Sequence, residues 1–301
     1  MLMGAAKNGP AIAISLGLLF ACAATRGEPS RTERGRYLLY AGGCISCHTD
    51  VATLKAKGPI LGGGRAIKTP FGVFYGPNIS PHQVHGIGRW READFIRALR
   101  EGRSPKGRHY FPSFPYTSFT RISTRDLKAL FAYIMTLEPV ARPSRPHAVA
   151  FPFNLRMLAG FWKWLYFRPT RYRPDPARTK RWNRGAYLVR ALVHCSECHT
   201  PRGPLGGVRR GAYLSGVGKG GPIGSVPNIT SDPKAGIGKW SLADIFDVLK
   251  LGLLPDGDFI GAEMADVVEH GTSHLTDADL NAIAIYLKSV PPIGLRGGLR
   301  K

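Results

Sequence analysis

The sequence repeats itself at an offset of about 150 residues, and this duplication limits the possible folds more than any other feature. The segment RGRYLLYAGGCISCHT at 34–49 matches RGAYLVRALVHCSECHT at 184–200, and STRDLKALFAYIMTL at 123–137 matches TDADLNAIAIYLKSV at 276–290. The stretches GPNIS and VPNIT lie between them, again 150 residues apart. Repetition of this kind means that one structural unit is used twice. The chain is therefore predicted to contain two copies of one module.

Three helices are predicted in each module. In the first module they are 32–41, 92–100 and a helix that begins at Ser123. In the second module they are 182–193, 242–251 and a helix that begins at Thr276. The last helices open with a hydroxyl residue three positions before an aspartate, which is the spacing of a helix cap. Strand signals are nearly absent, and loops such as GPILGGGRAIKTPFG are rich in Gly and Pro. The pattern predicts an all-α fold of two tandem modules with long irregular loops.

Length and composition agree with two globular domains. The chain has 301 residues, of which 44% are apolar, enough to bury a core in each half. We expect the first domain at 30–140, a linker at 141–180 and the second domain at 181–293.

The N-terminus predicts export. Lys7 supplies a positive region, 11–20 is an apolar run, and 21–24 is a small-residue cleavage zone, so residues 1–24 read as a signal peptide. The run is shorter than the roughly 20 residues that a membrane span needs. The sequence around Cys22 also resembles a lipoprotein cleavage site, so a lipid on Cys22 stays open. A periplasmic location is expected, with or without attachment to the membrane.

The formal net charge is +22, and the Lys and Arg residues are scattered along the chain. Because the protein is expected to be exported, nucleic acid is not the expected partner of this positive charge. It favours an anionic membrane surface or an acidic protein surface, while simple solubility is the competing explanation.

The linker is rich in Pro, Arg and aromatic residues. Its apolar part, 155–167, is too short to span a bilayer. Packing between the modules is one interpretation. The other is a helix in a membrane interface, with Trp162, Trp164, Arg168 and Arg171 at the level of the headgroups.

Two Cys-x-x-Cys-His motifs carry the chemistry: Cys44 and Cys47 with His48, and Cys195 and Cys198 with His199. In this motif both cysteines attach a c-type haem and the histidine is the proximal iron ligand. The sequence thus predicts two covalently attached haem c groups, each with iron. Export agrees with this, because bacteria attach haem c outside the cytoplasmic membrane.

Three other uses of the cysteines fit less well. A four-cysteine zinc site has its pairs about 15 to 20 residues apart, whereas these pairs are 151 residues apart. A redox dithiol is expected within a βαβ unit, and the sequence shows no such pattern around these cysteines. Two structural disulfides would not require a histidine after each pair.

The second axial ligand differs between the modules. Met264 follows a glycine-containing turn before the last helix and is predicted to ligate the second haem iron. The equivalent residue in the first module is Phe114, which cannot coordinate iron. His109 is the first candidate for the missing ligand of the first haem iron, and His82 and His85 are weaker candidates. The other possibility is an open, five-coordinate iron.

Four motifs occur along the chain in the order PNIS, FPYTSF, FPFNLR and NRGAYLVRALVHCSECHTPRGPLG. In content and order they resemble the cytochrome c subunits of bacterial membrane-bound dehydrogenases for alcohols, gluconate, sorbitol and aldehydes. The helix order resembles the class I cytochrome c fold, twice over. The resemblance implies His48, His199 and Met264 as iron ligands. The sequence departs from the family in two ways. Family members carry three haem modules, whereas this sequence shows two, and they have a methionine at the position of Phe114.

The sequence therefore favours an electron relay without catalytic residues, which would take electrons from a periplasmic or membrane-bound dehydrogenase subunit and pass them to quinone, an oxidase or another cytochrome. The alternative is a peroxidase-like dihaem enzyme with an open first haem, served by His109 or Arg108. A membrane-anchoring adaptor is a third hypothesis, compatible with the relay.

Overall fold

The computed structural model describes residues 1–2, 4, 28–218 and 224–294. Almost all of the predicted signal peptide, including Cys22, lies outside these residues. The described part is mainly helical, as predicted.

The helices follow the repeat. The first half holds α1 (Arg31–Ala41), α2 (Cys44–His48), α3 (Val51–Lys55), α4 (Glu92–Glu101), α5 (Tyr116–Phe119) and α6 (Thr124–Ile134). The linker holds α7 (Arg156–Tyr166), and the second half holds α8 (Lys180–Tyr187), α9 (Ser196–His199), α10 (Leu242–Leu251), α11 (Ala262–Glu269) and α12 (Asp277–Lys288). A π-helical turn, Leu188–Leu192, continues α8 towards the second cysteine pair. Short 3₁₀ turns lie at Arg210–Ala212 and Thr272–His274.

A small antiparallel sheet was missed by the sequence analysis. Strands β1 (Ala66–Thr69) and β2 (Gly72–Tyr75) form a hairpin, and β3 (Ala148–Val149) of the linker pairs with β2. The Thr69 hydroxyl donates to the Gly72 carbonyl at 2.8 Å and closes the turn. Gly and Pro around these strands made the segment read as a loop, and pairing with β3 is a long-range contact that local sequence does not reveal.

Each half is held by a close crossing of its first and last helices. A Cβ added to Gly35 of α1 would lie 2.1 Å from the Ala129 carbonyl of α6, and one added to Gly185 of α8 would lie 1.9 Å from the Ala282 carbonyl of α12. Glycine is required at both positions because the backbones leave no room for a side chain. The predicted caps start these last helices: Ser123 accepts from the Asp126 amide at 3.1 Å and Thr276 from the Asp279 amide at 3.3 Å.

The two halves share one hydrophobic core. Its fully buried members come from both, including Leu38, Leu39 and Ile134 of the first half and Leu188 and Leu280 of the second. Because both halves bury apolar side chains against each other, neither presents its inner face to water.

Two tyrosines at equivalent positions cross between the halves. The Tyr187 hydroxyl of the second half donates to Asp126 and accepts from the Ser123 amide at 3.1 Å. The Tyr37 hydroxyl of the first half donates to Asp279 and accepts from the Thr276 amide at 3.4 Å. Each tyrosine therefore caps the last helix of the opposite half.

The aspartates that receive these hydroxyls are also paired within their own half. Arg34 binds Asp126 through Nε at 2.6 Å, and Arg184 binds Asp279 through two bonds of 2.8 and 2.6 Å. Both carboxylates are largely buried, so each needs these donors to offset the loss of water. Burial, followed by the charge of the facing aspartate, raises the pKa of both tyrosines well above the ordinary value.

The linker helix α7 lies against both halves. Its Ala159 packs with Phe74 and Phe111 of the first half, and the Trp162 Nε1 donates to the Leu205 carbonyl of the second at 2.8 Å. Of the residues described, none belongs to a helix with the length and apolar character needed to cross a bilayer.

We predict that Tyr37→Phe and Tyr187→Phe each lower the free energy of unfolding by about 2 kcal/mol, because each removes a buried hydrogen bond to a charged carboxylate. Urea denaturation of the haem-loaded protein measures the change. The matched control is Tyr166→Phe on the exposed side of α7, for which we expect a change below about 0.5 kcal/mol. Equal, small effects in all three variants would contradict the role of the crossed tyrosines.

Candidate haem attachment sites

A residue in the left-handed backbone conformation comes directly before each Cys-x-x-Cys-His motif. Gly43, at φ 61°, reverses the chain after α1 so that α2 begins at Cys44. The equivalent residue in the second half is His194, which holds the same backbone conformation at φ 46°. In the short helix that follows, the second cysteine and the histidine come three and four residues after the first cysteine. This spacing places all three side chains on one face.

The four cysteines of the motifs are free thiols. Burial raises the pKa of Cys44 to about 12, of Cys47 to about 11 and of Cys195 to about 12. The pKa of Cys198 is raised as well, again chiefly by burial. The thiols are therefore protonated at neutral pH, and they keep contact with solvent, since Cys44, Cys47 and Cys195 are half-buried and Cys198 is exposed.

Each motif histidine is held by a proline carbonyl. The His48 Nδ1 donates to the Pro77 carbonyl at 2.8 Å, and the His199 Nδ1 donates to the Pro227 carbonyl at the same distance. Burial lowers the pKa of both rings, so they are neutral. A carbonyl can only accept, so the proton sits on Nδ1 and the lone pair is left on Nε2, the state in which imidazole binds iron.

The loops that carry these prolines are built in the same way in both halves. The His48 carbonyl accepts from the Gly63 amide at 2.7 Å, and the His199 carbonyl accepts from the Gly216 amide at 2.8 Å. After each proline, an asparagine Nδ2 donates to the chain beyond the last helix: Asn78 to Val140 at 2.8 Å and Asn228 to Ile293 at 2.6 Å. The sequence analysis found the repeated Pro-Asn pairs without seeing this role, although their equal offset was the available signal.

The two motifs lie next to each other across the contact between the halves. The Cys198 thiol is near enough to Cys47 to contribute, after burial, to its raised pKa. The His194 Nε2 lies 3.7 Å from the position of a Cβ on Gly43, its own counterpart in the repeat. The ring of Phe119 of the first half meets the His194 ring edge-on with centroids 5.3 Å apart. The structure therefore brings together the attachment motifs of both halves.

Glu197, inside the second motif, also ties that motif to the first half. Its Oε1 accepts from the Thr117 hydroxyl at 2.8 Å and from the Ser118 hydroxyl at 2.6 Å, and its Oε2 binds Arg202 at 2.5 Å. Burial favours the neutral acid, but Arg202 and the two hydroxyls outweigh it and keep the pKa of Glu197 below its usual range. Sequence reasoning missed this residue because the partners that tie it to the first half, Thr117 and Ser118, lie about 80 residues away.

Met264 lies in α11 and packs against the shared core. The helix is beside both motifs: Glu263 is close enough to contribute to the raised pKa of Cys198, and Asp266 binds Arg65, whose charge in turn reaches Cys47. This placement suits the predicted ligand role of Met264, which stays a prediction.

Phe114 belongs to an aromatic cluster rather than to a polar one. Its ring makes edge-on contacts with Tyr110, Tyr116 and Phe119 at centroid distances of 5.7 to 6.2 Å. Phe119 then touches His194, so the cluster reaches the second motif.

His109 faces the linker helix. Its Nε2 lies 3.1 Å from the position of a Cβ on Gly160 of α7, and its Nδ1 is buried without a hydrogen-bond partner among the described residues. Burial, helped by the charges of Lys163 and Arg103, lowers its pKa. These contacts place His109 against α7 and do not join it to His48. The weaker candidates His82 and His85 stack on each other with ring centroids 5.1 Å apart.

The residues of both motifs fit a covalently attached haem. Each half supplies two free thiols on one helical face and one neutral imidazole whose Nδ1 donates to a backbone carbonyl. A zinc or calcium site would instead gather several charged donors around one point.

Comparison with known proteins agrees with this assignment. The cytochrome c family model matches residues 32–138. A diheme cytochrome c-type protein of Cereibacter sphaeroides is 45% identical over 267 residues, which cover 89% of this chain and 87% of that protein. The fructose dehydrogenase cytochrome subunit of Gluconobacter japonicus is 42% identical over 86% of this chain, and the cytochrome c subunit of the quinone alcohol dehydrogenase of Gluconacetobacter polyoxogenes is 37% identical over 88%.

The chain spans only about half the length of the dehydrogenase subunits that it matches, 52% for the fructose enzyme and 57% for the alcohol enzyme. The likeness to the Cereibacter sphaeroides protein, in contrast, covers most of both chains. The chain therefore belongs to the cytochrome c family, whose members carry covalently bound haem c.

Proposed function

We propose that the protein is an exported dihaem cytochrome c that relays electrons from a partner dehydrogenase to quinone, an oxidase or another cytochrome, and has no substrate chemistry of its own. The single observation that carries the proposal is the placement of the two attachment motifs side by side, with Cys47 near Cys198 and Gly43 against His194. Haem iron, when bound, supplies a one-electron couple. Two such groups in one rigid core suit transfer within the chain.

The domain assignment follows from this proposal. Residues 30–140 and 181–293 each form a class I cytochrome c-like module, joined by the linker 141–180. Cys44 and Cys47 hold the first haem and Cys195 and Cys198 the second. His48 and His199 are the proximal ligands, each oriented by its proline carbonyl.

Met264 would serve as the further protein ligand of a haem held by Cys195 and Cys198, because α11 carries this residue beside the second motif. A methionine ligand raises the reduction potential relative to histidine. In the first half the equivalent position is Phe114, whose neighbours are aromatic. We propose that the first haem lacks a methionine ligand and works at a lower potential than the second.

The partner and the location are part of the proposal. Relatives named as cytochrome subunits of fructose and alcohol dehydrogenases support a dehydrogenase as the electron donor. Residues 1–24 act as the signal peptide that delivers the chain to the periplasm. The net charge of +22 favours association with an acidic protein or an anionic membrane surface.

The first prediction concerns the number of haems. The variants Cys44→Ser/Cys47→Ser and Cys195→Ser/Cys198→Ser each lose one attachment site, so we expect each to hold half the covalent haem of the wild type. The pyridine haemochrome absorbance per mole of protein measures this. Ser46→Ala and Ser196→Ala are matched controls inside the motifs and keep the full amount. Full haem content in either cysteine variant would contradict attachment at that motif.

The second prediction concerns the open side of the first haem. Phe114 offers no donor atom and His109 packs against α7, so we expect carbon monoxide to bind about half of the reduced haem. Phe114→Met adds a ligand and should suppress that binding, while Phe111→Met is the control. If the wild type binds almost no carbon monoxide, a protein group already ligates the first iron, and gain of binding in His109→Ala would identify it.

The third prediction separates the relay from the peroxidase-like alternative. With reduced cytochrome as electron donor and hydrogen peroxide as oxidant, we expect no turnover above that of a haem peptide at equal haem concentration. Sustained turnover that is lost in both His109→Ala and Arg108→Ala would instead establish an enzyme.

A further inference from the structure

The linker helix α7 turns its large apolar side chains away from the protein. Most of the exposed large apolar side chains described for the chain lie in one stretch of 16 residues, which we call the α7 face: Phe151, Phe153, Leu155, Met157, Leu158, Phe161, Trp164, Leu165 and Tyr166. Met157, Leu158, Phe161, Trp164 and Leu165 follow helical spacing and form one stripe. A contiguous exposed patch of this kind marks an interaction site.

The orientation of α7 is fixed by its small and cationic residues. Ala159 is buried against Phe74 and Phe111, and Gly160 lies against His109. The Lys163 Nζ donates to the Glu101 carbonyl at 2.6 Å, at the C-terminal end of α4, and lies 4.7 Å from the Tyr116 ring centroid. A buried lysine bound to carbonyls cannot turn outward without losing these bonds. The outward position of Phe161 and Trp164 is therefore built into the packing.

The segment that carries the α7 face has no acidic residue: residues 139–174 contain seven Lys and Arg residues and no Asp or Glu. Two of the seven do not contribute to the face, since Lys163 is buried beneath the helix and Arg142 is paired with Asp50. Arg168, at the end of the helix, donates to the carbonyls of Trp164 at 2.8 Å and Phe167 at 3.1 Å, so its charge stays at the edge of the patch. The arrangement combines an apolar stripe that ends in aromatic residues with a cationic border.

We propose that the α7 face docks on an anionic phospholipid surface, with Met157, Phe161 and Trp164 entering the boundary between headgroups and acyl chains. This locates the membrane association of the proposed function on one helix. A bilayer supplies both an apolar layer for the stripe and negative headgroups for the arginines. A second copy of the chain would instead bring two acid-free cationic segments together, which charge repulsion opposes.

Vesicle sedimentation tests the proposal. The full chain, exported under a foreign leader that replaces residues 1–24 so that Cys22 is absent, is mixed with vesicles of phosphatidylcholine and phosphatidylglycerol in equal parts, or of phosphatidylcholine alone. We expect binding to the mixed vesicles, weaker binding to the neutral ones, and a loss of about tenfold or more in Phe161→Ser/Trp164→Ser. The matched control is Leu251→Ser/Phe259→Ser, since these residues are exposed to 60% and 66%, close to the 57% and 68% of Phe161 and Trp164.

The proposal is wrong if the wild type does not bind the mixed vesicles, or if both double variants bind equally well, since charge alone would then explain binding. It is also wrong if sedimentation equilibrium without lipid shows a dimer that Phe161→Ser/Trp164→Ser dissociates. Bound protein is measured by gel densitometry and haem content separately, so a failure here is distinguishable from a failure of the dihaem assignment.

Discussion

The exchange of Tyr37 and Tyr187 between the halves is the contact on which the rest of the arrangement depends. Each hydroxyl donates to the buried aspartate of the opposite half and accepts from the amide of the residue that caps the last helix there. These helices cross the first helices at Gly35 and Gly185, and the first helices lead directly into the cysteine motifs. The tyrosines therefore connect the packing of one half to the placement of the motif in the other.

Much of this could be predicted from the sequence, because the signals are local or repeated. The offset of 150 residues in the sequence predicts a duplication, and the hydroxyl caps at Ser123 and Thr276 correctly predict where the last helices begin. The hairpin at 66–75 was missed because the glycine and proline residues around it are typical of a loop. The strand that pairs with it comes from the linker, which local sequence does not indicate. Glu197 and the crossed tyrosines depend on partners far away in the chain, which a single sequence does not indicate.

The two halves make the same hydrogen bonds around the histidines of their motifs, and they differ at positions beside those histidines. Pro77 and Pro227 hold the imidazoles at the same distance, and Asn78 and Asn228 brace the same loops. The differences lie at the positions of Gly43 and His194, Ser46 and Glu197, and Phe114 and Met264. All three alter what lies beside the attachment sites and leave the scaffold unchanged. The proposed relay of two haems with unequal potentials rests on these differences.

The central claim is that two haems lie side by side in one core, and circular dichroism in the Soret region tests it most directly. Close haems couple, so the oxidised wild type should show a couplet with one positive and one negative lobe. Removal of either cysteine pair should leave a single weak band. A wild-type spectrum equal to the sum of the two single-haem variants would show that the haems do not interact, and would contradict the account.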